Sequence, residues 1–180
     1  MACIDADYEK QLRELKALTP SVSQEEPAQE SLVQFFNAMP ITFSCFNRLF
    51  GYSDKAAPLY SEPQLYFLFP KFKQAVAKDE YMAKLVSLAI NARWEADQTG
   101  ALQDAVRELL DSHTVAFIQA IEGHDNKSQE SIWAFLFGGP HPSNQPIKPK
   151  VKTLICETSD YNCATFQKVY ALKVSEEHNH

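Results

Sequence analysis

His113 is the residue whose position most directly suggests chemistry. Counting along a helix from Leu102 through Val106 and Leu109, positions 113 and 117 continue the same face. His113 therefore stands where an apolar residue is expected. A buried imidazole must find a hydrogen-bond partner, and its ordinary pKa of about 6.5 makes it usable for proton transfer. The plainer expectation is a core histidine bonded to a backbone carbonyl or a carboxylate. Arg93 and Glu95 flank Trp94 at the end of a second long apolar pattern. If a pocket opens there, Arg93 could clamp an anion and Glu95 could act as a base. Together the three would make an enzymatic or small-molecule site inside a helical body.

Other chemistries lack their residues. There is no HExxH, no histidine pair four apart and no cysteine–histidine quartet, so no metal is expected. His124 and His141 flank a helix whose ends stay about 15 Å apart at ~1.5 Å per residue. Gly138-Gly139-Pro140 ends a helix, whereas a phosphate cradle opens one. Cys45 lies in an apolar run with no neighbouring base and reads as a small core residue. Lys148, Lys150 and Lys152 have no aromatic on their own face to stack a base, and the chain is net acidic. Neither nucleic acid nor any cofactor is expected as a partner.

Binding residues are easier to nominate. Nine of the 21 aromatic residues fall within residues 43–72. Adjacent ones such as Tyr66 and Phe67 diverge by about 100° on a helix, so they cannot all point inward. Either other elements cover both sides, giving an aromatic core wedge, or Tyr52, Tyr60, Tyr66 and Phe67 form a surface patch. Asp104, Glu108 and Asp111 follow one another at four- and three-residue spacing and share one exposed face. Glu25, Glu26 and Glu30 form a second acidic group.

The elements that must position these residues are mainly helical. Apolar stripes at helical spacing predict helices over 5–18, 26–39, 43–50, 64–76, 79–97, 101–122 and 126–137. Pro20 and Pro40 are expected to stop their helices, Pro70 to end or kink its own, and Gly51 to serve as a left-handed cap. Ser61 and Gln64 have capping-box spacing, as do Asn126 and Gln129. After residue 140 the pattern alternates. Lys148, Lys150 and Lys152 oppose Val151, Thr153 and Ile155, which predicts an extended segment, a β-hairpin across 150–174. A short helix over 159–170 is the alternative. The expected fold is a mainly α bundle of about six to seven helices with this hairpin docked on it. It is read as a single domain, with a helical body over 1–140 and a loop plus extended segment over 141–180.

The chain has 17 basic and 23 acidic side chains, a net charge of −6. The body carries −7 and the last forty residues +1, so the tail is expected to lie on an acidic surface. No basic segment followed by an apolar run opens the chain, and no apolar run reaches 18 residues. No membrane partner is expected. Cys3, Cys45, Cys156 and Cys163 make no CxxC pair, so reduced thiols and a cytoplasmic setting are expected, with a meeting of Cys156 and Cys163 across a turn left open. The expected function is a non-catalytic protein-interaction domain. It would be an inhibitor or immunity-type protein for a basic protein partner. The alternatives are the site near His113 and a homodimer that buries the aromatic stretch.

Overall fold

The computed structural model describes residues 3, 5–52, 57–95, 97–139 and 146–177. Ile4, Ser53, Asp54, Ala96, Pro140, His141, His178 and His180 lie outside them. Among the described residues there are ten helices and no strand. They are α1 (Asp5–Val22), α2 (Gln29–Ala38), α3 (Phe43–Phe50), α4 (Leu65–Ala75), α5 (Lys78–Ala89), α6 (Gln98–Ser112), α7 (Thr114–Glu122), α8 (Asn126–Leu136), α9 (Pro149–Thr158) and α10 (Asp160–Glu177).

The two middle helices organise the rest. Both α5 and α6 touch α3, α4, α7 and α8, and they touch each other. In α6 the core face begins at its first residue, with Gln98, Thr99 and Gly100 buried ahead of Ala101, Leu102, Ala105, Val106 and Leu109. In α5 Tyr81, Met82, Leu85, Val86, Leu88 and Ala89 are buried, more than one stripe. A helix buried that widely needs neighbours on several sides. The outer layers are paired helices. At one side α1 packs on α2, which closes over α4; at the other α9 packs on α10, and they close over α7 and α8 respectively.

The C-terminal β-hairpin and the count of six to seven helices are both corrected. The lysine alternation has period two, but the buried residues do not. Val151 and Ile155 are four apart, and Asn162, Phe166 and Val169 follow at four and three. Pro149 occupies the first helical position, where its missing N–H costs nothing. The polar anchor is Asn162. It accepts from Trp133 Nε1 at 2.9 Å and donates to Gln129 Oε1 at 2.9 Å, which fixes α10 on α8.

Two long helices are shorter than their patterns. α5 stops at Ala89, because Asn91 takes a φ of 56° and gives its N–H to Ser131 Oγ at 2.9 Å. Asn is among the few residues that enter that region readily. The segment 101–122 is two helices broken at His113. The flanking hydroxyls of Ser112 and Thr114 turn back to the carbonyls of Glu108 (2.6 Å) and Leu110 (2.8 Å), competing with a continuous ladder.

Two prolines fail to end their helices. Pro20 sits in the last turns of α1 and Pro70 in the middle of α4. An interior proline costs about 3 kcal/mol. Burying a side chain such as Val22, or Phe69 and Phe72, returns about 1.5–3 kcal/mol each. Gly51 is also not left-handed, with φ −72° and ψ 160°. A Cβ there would meet Asn47 Oδ1 at 1.9 Å, so the position requires a close approach rather than a turn. Neither sequence cap forms as expected. Asp125, not Asn126, caps α8, accepting from Ser128 N at 3.0 Å, and α4 opens at Leu65 without Ser61.

Candidate functional site

Of the nine aromatics in residues 43–72, five enter the core: Phe43, Phe46, Phe50, Phe69 and Phe72. Tyr60 is half-buried, while Tyr52 (65%), Tyr66 (46%) and Phe67 (70%) stay exposed. The stretch is thus divided between the core and the surface. Tyr66 and Phe67 line one groove, Tyr66 also reaches Gly100 at the start of α6, and Tyr52 packs on Tyr60.

Gln98 builds this face. The turn 60–65 enters α4 through a cis Glu62–Pro63 bond, and its backbone needs partners. Gln98 Oε1 accepts from Leu65 N at 2.9 Å, and Gln98 Nε2 donates to the carbonyls of Tyr60 (2.9 Å) and Pro63 (3.0 Å). The side chain is buried, so these bonds are hard to replace. Asp97 precedes it with φ 60° and ψ −119° and makes no side-chain cap on α6. Its carboxylate accepts from the Tyr60 hydroxyl instead. That bond is the main cause holding the Tyr60 phenol above its ordinary pKa. The rings of Tyr52 and Tyr60 meet at 5.7 Å, inclined by 60°. Tyr66 reaches its hydroxyl over Gly100, where a Cβ would lie 2.5 Å from it. Burial first, then Asp104 and Asp97, raises the Tyr66 pKa.

A groove of about 780 Å³ continues the face between α4 and the end of α1. Val22, Tyr66, Phe67 and Leu68 line it with Pro20, Pro63 and Pro70, and Glu25 and Glu62 are also on its wall. Lys71 crosses beside it to the Glu25 carbonyl at 2.8 Å. Pro70 has no N–H to give the Tyr66 carbonyl, so one acceptor on this side is left without its helical donor.

The acidic row of α6 is partly committed inside the molecule. Glu108 pairs with Lys73 at 2.7 Å, and Asp111 pairs with Lys148. Asp104 lies on the aromatic side; burial raises its pKa against the opposing pull of Arg107. The catalytic alternative is not assembled. His113 is half-exposed at the α6–α7 break, not on a core stripe, because the helix ends there. It borders a surface groove of about 380 Å³ with Lys78, Asp111 and Lys150. Burial, then Lys78 and Lys73, hold its pKa below the ordinary value, against Glu108. Arg93 and Glu95 lie beyond the opposite end of α5 from Lys78, and twelve helical residues span roughly 18 Å. Arg93 Nε pairs with Glu95 Oε1 at 3.2 Å.

The thiols differ from expectation. Cys3 is bonded to Cys45 and Cys156 to Cys163, so no described cysteine is free. No group of three metal-ligating side chains occurs among the described residues, and no helix there is long and apolar enough to cross a membrane. Asp97, Gln98 and Gly100 are the site residues that the sequence concealed. Thr99-Gly100 punctuates like a turn between helices, which hides that 98–100 open α6 and are buried. No known protein family, curated protein or solved structure matches the chain.

Proposed function

We propose that the chain is a non-catalytic protein-interaction domain that binds a basic protein partner, in the manner of an inhibitor or immunity-type protein. The observation that carries this is the aromatic group of exposed Tyr52, Tyr66 and Phe67 with half-buried Tyr60, flanked by Glu62, Asp97 and Asp104. Aromatic anchors supply most of the energy at protein interfaces. Carboxylates around them favour a cationic partner and disfavour acidic ones. A second copy is the poorer occupant, since two chains of net charge −6 would bring the same carboxylates together.

The two disulfides support an oxidising compartment as the place of action, in preference to the cytoplasmic setting expected from the sequence. An exposed Phe67 beside an apolar groove supports the interaction reading further, because it leaves a large apolar side chain in water without a structural reason.

The test is site-specific photo-cross-linking in native extract. A benzoylphenylalanine replacing Phe67 is expected to capture one stoichiometric basic protein, and the same group replacing Val115, on a different face, is not. Tyr66→Ser with the probe in place should abolish the adduct. Equal capture from both positions, or an acidic protein as the captured species, would overturn the proposal.

A further inference from the structure

We propose that Tyr52, Tyr60 and Asp97 form a receptacle for a single cationic side chain, an arginine or lysine presented by the partner. This deepens the preceding proposal and rests on it for the partner's basic character.

The two rings meet edge to face, and the Asp97 carboxylate sits at the Tyr60 hydroxyl beside them. The Tyr52 and Tyr60 rings stand 5.7 Å apart and are inclined by 60°, so the pair does not stack flat and hide its faces. Tyr52 is 65% exposed, which leaves a ring face open to a ligand. A cation over a tyrosine face is attracted by the ring quadrupole. Asp97 supplies the charge. One oxygen of its carboxylate accepts from the Tyr60 hydroxyl, and a carboxylate has further lone pairs for a second donor. Among the described residues no ion pair reaches Asp97.

The arrangement is held in place rather than incidental. An Asp immediately before a helix ordinarily caps it. Asp97 makes no cap bond on α6 and adopts a positive φ that a non-glycine residue enters at a cost. Its neighbour Gln98 pins the Tyr60 and Pro63 carbonyls. Backbone and side chain together therefore aim the carboxylate at Tyr60 instead of at the helix. Holding the groups in position beforehand removes much of the ordering cost of capturing a flexible cationic side chain.

The experiment follows the tyrosine ring resonances by NMR while N-acetyl-arginine amide or N-acetyl-lysine amide is added. N-acetyl-citrulline amide, with arginine's shape but no charge, is the control. The Tyr52 and Tyr60 signals are expected to move with at least one of the cations, and citrulline should bind about fivefold or more weakly. Asp97→Asn tolerates positive φ and keeps an oxygen for Tyr60, so it removes the charge alone. It should bring the cation down to the citrulline level, and Tyr52→Ala, at an exposed position, should weaken it as well. Equal responses to arginine, lysine and citrulline, or a cation response unchanged in Asp97→Asn, would overturn the receptacle. The Phe67 cross-link reads separately. A basic partner captured there with no cation response removes the receptacle and leaves the interaction reading. A charge-selective response with no partner at Phe67 upholds the receptacle and removes the surface reading.

Discussion

Three backbone groups at the entry to α4, the carbonyls of Tyr60 and Pro63 and the N–H of Leu65, share one partner, the buried amide of Gln98. A leucine fills a similar volume but offers none of these bonds, and each buried orphan costs about 1–3 kcal/mol. Gln98→Leu should therefore lower stability by about 3 kcal/mol in urea unfolding, as water reaches part of the turn. It should also separate the Tyr52 and Tyr60 rings, seen as loss of their mutual ring-current shifts. A loss under about 0.5 kcal/mol would show that the turn does not depend on this residue. Lys84 gives a second residue-level prediction, on pH. Burial pushes its ammonium down to about 8 from 10.5. It does so although Nζ donates to the carbonyls of Phe36, Asn37 (3.1 Å) and Met39 (3.1 Å) at the end of α2. Between these two values the unfolded chain binds more protons than the folded one, so this group makes stability rise with pH through that window. Lys84→Met lacks that rise. The stability difference between parent and variant should move in the parent's favour above about pH 8 in urea titrations. A difference independent of pH would mean that Lys84 stays charged. Neither residue was legible in the sequence. Gln98 is adjacent to a Thr-Gly breaker, and Lys84 reads as a solvated lysine on an apolar helix, because a three-carbonyl cage is a tertiary fact.

At the scale of elements, the cysteine pairs tie segments with very different loops. Cys156–Cys163 spans a separation of seven and staples α9 to α10, while Cys3–Cys45 spans 42 and ties the N-terminal segment to α3. Chain entropy assigns about 2.5 kcal/mol to a loop of the first size and about 4 kcal/mol to one of the second. Replacing Cys3 and Cys45 by serine should therefore cost about 1.5 kcal/mol more than replacing Cys156 and Cys163, measured under oxidising conditions. Equal losses would show that native packing, not loop closure, sets the effect. The Cys156/Cys163 double serine variant should keep its helical far-ultraviolet dichroism, because Val151, Ile155, Phe166 and Val169 remain buried. Those four residues also explain what was readable. Helix periodicity revealed most of the body, but in α9 the lysine alternation outweighed the Val151–Ile155 spacing, and the wrong period followed. The overlong reading of α5 has another cause. The apolar face does continue to Ala92, which is buried, yet Asn91 turns the chain because Ser131 on α8 receives its N–H. A bond between residues forty apart leaves no local trace.

Charge belongs to the whole molecule. The split between body and tail was legible, and cations of the tail do meet acids of the body, Lys148 on Asp111 and Lys168 on Glu130. Exposed pairs of this kind contribute about 0–1 kcal/mol each, so their larger effect is on the field. They neutralise acids on the α7–α10 side, and Lys73 does the same for Glu108. Glu62, Asp97 and Asp104 stand beside the aromatic face and, among the described residues, enter no such ion pair. A cationic partner should be steered to that side, at a rate that falls with salt as the screening length drops from about 30 Å at 0.01 M to about 8 Å at 0.15 M. Neutralising Glu62 and Asp104 together, to Gln and Asn, should slow association about tenfold at low salt and leave dissociation nearly unchanged. Neutralising Glu122 and Glu157 removes the same net charge from other faces and should alter the rate less than about twofold. Stopped-flow association with the captured partner at several salt concentrations measures both. If the two pairs slow association equally, net charge alone attracts the partner and the carboxylates beside Tyr60 and Tyr66 give it no address.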